Sequence, residues 1–484
     1  MSAPYEATSH EGFSHDSIDS LAYDWERVAA PDIAPKRPFQ VYFPETTSEV
    51  VEAITSLASR GKSFKIRSKG HSSNDLVLEH RGNVICMQQM TAIKGFDAEG
   101  GTVTVQSGAV LSDVDDFLAK RGWGLPIIGD HNHITAGGFA AVGGISPASH
   151  RHGMFLDNVI ALEYVTLEGV VRRLNAKADR DEFHAVLGST GQLGIITELT
   201  LRTIRVDKYG TILKNDRLIV HDVDEYVQRT AEFIRAPGDE VLMERGVWMN
   251  LPLAGREVNI GQFSAYRDAP QTPGAKLVDR VAYGYLHGLG NIAGRLPTGI
   301  DEAVKYMGML GIIFSPRFAT MKNVERFTDK VLDSSVGDPT RMFIILAPAK
   351  SYEAIFHELY TICQRYRSET GCFSFISIYV KAIRSQYLSQ SYLGQPHRDQ
   401  PGPIEPFCEL MLYAGIKPKA MTREVLDRFV SDIDDLTIAQ GAFRYMHSRT
   451  VKDTERRRRI DPNTYYADRF SLPHSASVLR SSAE

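Results

Sequence analysis

Residues 67–75 read RSKGHSSND, a histidine set in a glycine turn directly after the strand-like run SFKIRS. Two glycine-rich stretches follow, TAGGFAAVGGISPASHRHG at 135–153 and LGSTGQLGIIT at 187–197. Glycine lets backbone N–H groups come close to an anion, because no Cβ blocks the approach. An imidazole beside such a turn can act as the covalent tether of a phosphate-bearing cofactor, and a flavin is the expectation. No GxGxxG opens a strand–helix unit and there is no GxxxxGK[ST] loop, so Rossmann and P-loop sites are not supported.

These turns need elements to hold them. Thr46 and Glu49 form a capping box ahead of Val50, Ile54 and Leu57, so 43–61 reads as a helix stopped by Gly61. The runs 63–68, 83–87 and 102–108 read as strands, 111–122 as an amphipathic helix, 159–174 as a hairpin turning at Glu168-Gly169, and 194–204 as a further strand. Past Val206 the elements lengthen. Strands are expected at 211–220, 258–268, 342–348, 373–383 and 407–415, with helices at 223–234, 351–367 and 422–436. That alternation suggests one large sheet covered by helices on one face. The proline-rich run 394–406 reads as a surface loop or lid.

The chain has 484 residues, 43% apolar and 24% charged, with a net charge of −4. This suits two large domains and gives no field that would attract nucleic acid or an anionic membrane. Arg456 to Arg459 are read as a solvated helix face. Cys86, Cys363, Cys372 and Cys408 form no CxxC pair or zinc pattern, which suggests reduced thiols. With no evident signal peptide or membrane-length apolar run, the expected location is cytoplasmic. His150 and His152 look superficially like a metal pair. They lack a third ligand nearby in sequence and are read as structural, so no metal is expected.

With these motifs in order, the chain resembles the FAD-linked oxidases of the vanillyl-alcohol oxidase type (PCMH-type FAD-binding fold). Its N-terminal half is most similar to the cytokinin dehydrogenases. Those enzymes carry a GHS turn whose histidine bonds to the flavin 8α-methyl, here His71. They then carry Asp, six residues, Gly-Gly, a GIS and an RHG. Here the series is Asp130, Gly137-Gly138, Gly144-Ile145-Ser146 and Arg151-His152-Gly153, and LGSTGQLGIIT matches their next block.

The resemblance implies an α+β chain in which two α/β subdomains form the FAD-binding domain. A cap with a large antiparallel sheet flanked by helices completes it. The expected division is an arm at 1–37, the FAD-binding domain at 38–206, the cap at 207–425 and a return to the FAD domain at 426–484. Ser68, Lys69, Gly70 and Ser72 would cradle the pyrophosphate, and Thr135, Gly138, Ile145 and Ile196 would line FAD held covalently through His71. Asp130 would accept the proton as hydride leaves a small-molecule substrate, with His131 and His133 as rivals. Oxygen or another acceptor would reoxidise the flavin.

In the cap, Glu244 falls near the family's substrate-contacting glutamate. Arg245, Tyr266 and Arg267 are alternatives that could bind a carboxylate or sugar hydroxyls. The C-terminal part keeps Asp461-Pro462 but lacks the family's PGQ, so Tyr465 or Tyr466 is expected to supply the missing flavin contact. The expected reaction removes hydride from a C–H next to N–H or O–H. Cytokinin-type amine oxidation, sugar or alditol oxidation, and tailoring of a specialised metabolite, including oxidative decarboxylation, all stay open.

Overall fold

The computed structural model describes residues 21–22, 24, 36–73, 76–129, 134–253, 256–269, 272–293, 315–326, 340–394, 403–447 and 453–470. Most of the expected arm and of the proline-rich loop lies outside these residues.

Three parallel strands come first. β1 (Gln40–Tyr42) and β2 (Phe64–Arg67) flank β3 (Asn83–Cys86). α1 (Thr47–Ser59) links β1 to β2. The Thr46 side chain accepts the Glu49 N–H at 3.3 Å, and the Glu49 carboxylate accepts the Glu45 N–H at 2.7 Å. The apolar stripe Val50, Ala53, Ile54 and Leu57 packs on Phe64 and Ile85.

An antiparallel sheet of five follows, in the order β4-β5-β9-β7-β8. Its strands are β4 (Ile93–Asp97), β5 (Thr102–Gln106), β7 (Val159–Thr166), β8 (Val171–Asn175) and β9 (Gly194–Arg202); β6 (Trp123–Gly124) pairs separately with β10 (Ile204–Arg205). Around it lie α2 (Leu111–Ala119), α3 (Ala136–Val142), α4 (Ser149–His152) and α5 (Arg180–Val186).

The second half is built on one antiparallel sheet of eight strands in the order β14-β11-β13-β12-β16-β17-β15-β18. These are β11 (Ile212–Val220), β12 (Val241–Leu253), β13 (Arg256–Asp268), β14 (Phe318–Thr320), β15 (Thr340–Pro348), β16 (Phe373–Ile383), β17 (Phe407–Ile416) and β18 (Phe443–Arg444). α6 (Val223–Arg235), α9 (Tyr352–Thr370) and α11 (Arg423–Ala439) cover one face through Tyr226, Phe356, Phe429 and the strand residues beneath them. The remaining helices are α7 (Ala275–Ala293), α8 (Met321–Glu325), α10 (Gln386–Leu393), α12 (Thr454–Ile460) and α13 (Asn463–Phe470). A second hydrophobic core runs without a break from the five-stranded sheet to Tyr266, Ile344 and Ile383 of the large sheet.

The expected return at 426 begins later. α11 spans that boundary and buries Phe429 and Ile433 against the large sheet, and β18 pairs with β15. The chain crosses back only after Arg444. The Gly144 N–H donates to Tyr445 Oη at 2.9 Å, and the Ser73 N–H donates to the His447 carbonyl at 3.2 Å. α13 then packs on α5, where Asn463 Nδ2 donates to the Ala185 and Leu187 carbonyls. On α12, Arg456, Arg457 and Arg458 pair with Asp435, Asp461 and Asp468.

A buried charge cluster ties α2 to α8. Lys208 Nζ lies 3.0 Å from Asp115 and 2.8 Å from Glu325, and it donates to the Leu125 carbonyl at 2.8 Å. Burial opposes the Lys208 charge, but the Asp115 and Glu325 carboxylates outweigh it and hold its pKa above the ordinary lysine value.

Candidate cofactor and substrate cleft

A cleft with about 2340 Å³ of empty space, its open mouth included, separates the glycine-rich segments from the uncovered face of the large sheet. Ser68, Lys69, Gly70, His71 and Ser72 line it from the turn after β2. Thr135 and Gly138 reach it from the start of α3, Ile145 from the segment behind α3, and Ile196 from β9. Gly70 has φ +71° and sits against the Arg67 guanidinium, a conformation and a space that suit glycine. At Gly137, which donates to the Ser107 carbonyl at 2.7 Å, a Cβ would stand 2.5 Å from the Ser107 Cβ. The absence of a side chain therefore seats α3 on the end of β5.

Strand alternation supplies the opposite wall. Arg245 and Val247 on β12, Tyr379 and Lys381 on β16, and Glu409 and Met411 on β17 face the cleft. Lys381 and Glu409 are register partners; their ion pair measures 2.8 Å, with side chains only 6% and 4% exposed. The sequence carried a sign of this pair, one charge interrupting each of two apolar strands. Tyr445 and His447 close the third side. Burial and nearby Arg444 push His447 down to about 4, so its ring is neutral near pH 7.

Other expected residues lie elsewhere. Asp130, His131 and His133 fall outside the described residues. Glu244 is fully buried and does not line the cleft; its Oε1 accepts the Ala382 N–H at 2.6 Å. Its neighbour Arg245 takes the cleft position, as strand alternation requires. Tyr266 lines the cleft, whereas Arg267 pairs with Asp216 and Glu240. The expectation for Tyr465 or Tyr466 needs correcting. Tyr466 stacks on Tyr387 at 4.4 Å, neither tyrosine lines the cleft, and Tyr445 does so instead. His150 Nε2 lies 2.9 Å from the Val241 carbonyl, and no group of three His, Cys, Asp or Glu among the described residues could hold a metal. No helix among them is long and apolar enough to cross a membrane.

Residues 38–175 match the family described as an FAD binding domain. Over these residues the chain is similar to an FAD-binding domain. Over 166 residues, 34% of this chain, it is 33% identical to an uncharacterised oxidoreductase of the fasciation locus of Rhodococcoides fascians, covering 37% of that protein. It is 30% identical to L-gulonolactone oxidase of Bos taurus, over 34% of this chain and 37% of that enzyme. With cytokinin dehydrogenase 1 of Oryza sativa subsp. japonica it shares 27% identity over 61% of this chain and 58% of the relative. The matches thus span little more than a third of the first two relatives.

The matched segment carries polar groups of the kind that FAD requires. The hydroxyls of Ser68, Ser72 and Ser107 are buried at the cleft without a hydrogen-bond partner among the described residues. Hydroxyl donors beside a glycine turn and the Lys69 ammonium fit phosphate oxygens.

Burial pushes Glu244 up to about 8 from an ordinary value of 4.5. The folded protein therefore holds a proton there that the unfolded chain has released, and stability falls as pH rises across that window. The slope is at most about 1.4 kcal/mol per pH unit. His447, depressed from 6.5 to about 4, acts in the opposite sense, and its contribution is complete above 6.5. The melting temperature is therefore expected to fall between pH 7 and 8, and Glu244→Gln to flatten that fall. An unchanged slope in the variant would remove Glu244 as the cause.

Proposed function

We propose that this protein is an FAD-dependent oxidoreductase that removes hydride from a C–H next to N–H or O–H of a small molecule. The observation that carries this reading is the convergence of the GHS turn, the Gly-Gly helix start and β9 on one cleft, with the FAD-binding domain match covering the first two. In this reading the three- and five-stranded sheets are the two subdomains of a PCMH-type fold, and the large sheet is the cap. Ser68, Lys69, Gly70 and Ser72 hold the pyrophosphate, Thr135, Gly138, Ile145 and Ile196 line the cofactor, and His71 is the covalent tether. Bound FAD supplies two-electron oxidation, which the side chains of a protein do not provide. Asp130 accepts the substrate proton. Glu244, neutral behind the sheet, braces the wall through Ala382 rather than touching substrate. The apolar residues around Tyr379 and Met411 exclude water from the reacting carbon, and oxygen or another acceptor completes turnover.

The test is a visible spectrum before and after acid precipitation, with mass spectrometry of the His71 peptide. Colour kept in the pellet and an FAD-sized addition on His71 are expected. Colour released to the supernatant would remove the tether, and a colourless protein would overturn the reading.

A further inference from the structure

The wall facing the FAD-binding segment carries a buried ion pair, with Arg245, Tyr379 and Met411 on the same face. Lys381 and Glu409 lie opposite each other on β16 and β17, and Met411 and Ile344 also line the cleft. Such a pair is a poor device for stability, since its desolvation cost offsets most of the attraction and an apolar pair would serve the sheet as well. What it offers the cleft is a donor and an acceptor 2.8 Å apart. Two carboxylates lie near Lys381, but burial keeps Glu244 protonated, which leaves Glu409 as the anionic partner.

We propose that Lys381 and Glu409 form a specificity site for a hydroxyl group, so that the substrate is an alcohol or polyol rather than an amine. This rests on the flavoenzyme reading above and narrows it. A hydroxyl can donate its hydrogen to Glu409 while its lone pairs accept from Lys381. A substrate ammonium meets the Lys381 charge and has no lone pair to offer it. An ether accepts but cannot donate. The pair is a recognition site; proton removal stays with Asp130.

The test uses ligands that bind without reacting. The oxidised holoprotein is titrated with 2-phenylpropan-2-ol, its amine counterpart and its methyl ether, none of which has a C–H on the benzylic carbon bearing the heteroatom. Dissociation constants are read from the change in visible flavin absorbance. The alcohol is expected to bind at least about tenfold more tightly than the other two, the advantage of hydrogen bonds to charged groups. Lys381→Met and Glu409→Gln should each erase that advantage, and Lys381→Arg should keep most of it. Equal binding of the amine or ether, no binding of the alcohol, or an advantage that survives both disruptive variants would overturn the proposal. If the variants fail to fold, the three-ligand comparison on the unaltered protein still decides. Yellow protein without alcohol preference sinks this inference alone, whereas protein that holds no flavin sinks the underlying reading with it.

Discussion

Replacing His71 by alanine is expected to move the yellow colour from the acid precipitate to the supernatant. The remaining contacts explain why colour should be released rather than never acquired. Ser68, Lys69, Gly70 and Ser72 still face the cleft, and α3 is still seated on β5 through Gly137, so the cradle survives without the imidazole. An attached imidazole withdraws electron density from the flavin and makes it a stronger oxidant. Its loss should therefore slow substrate oxidation by about tenfold or more, a barrier increase of roughly 1.4 kcal/mol. The checks are the supernatant spectrum and the rate of anaerobic bleaching. Colour that stays in the pellet of His71→Ala would place the tether on another residue.

The second large effect concerns stability. Lys208→Met is expected to cost about 3–5 kcal/mol, because it leaves the Asp115 and Glu325 carboxylates buried without their shared cation. Both side chains are no more than 2% exposed, so water cannot replace the ammonium. Arg326 reaches Asp115 only at 3.7 Å and is engaged with Asp116 at 3.1 Å. The damage should reach the cleft as well, since Arg245 Nη2 donates to the Glu325 carbonyl at 3.0 Å. Adding Glu325→Gln to Lys208→Met should recover part of the loss, a coupling that a double-mutant cycle in urea measures. A single variant within about 1 kcal/mol of the parent would show that the cluster holds little of the fold together.

The parts legible in the sequence were those written in contiguous residues. His71 with its flanking glycines, the Gly-Gly start of α3 and the β9 segment were each recognisable alone, and the fold brings them to one cleft. The capping box at Thr46 and the stripe of α1 are likewise local. What could not be read depends on distant partners. Lys208 sits in the polar stretch RVDKYG and looks like a surface lysine until Asp115 and Glu325 are folded onto it. Lys381 and Glu409 fall in runs read as apolar strands, and only the antiparallel register sets them side by side. β12 escaped because Glu244-Arg245-Gly246 and Pro252 interrupt its pattern. Alternation along it then decides between neighbours, sending Arg245 into the cleft and Glu244 behind it. The end of the cap was misplaced because the periodicity of α11 is the same whichever sheet it covers.

The late crossing at Tyr445 bears on how the molecule is made. All eight strands of the large sheet lie between Ile212 and Arg444, ahead of the residues that cross back. The part proposed to bind flavin is split in time. Its sheets appear early, but the contacts from Tyr445, His447 and Asn463 arrive only after the cap has been translated. On the flavoenzyme reading, cofactor capture is thus a late event in biogenesis, and a chain cut after Arg444 should fail to retain flavin.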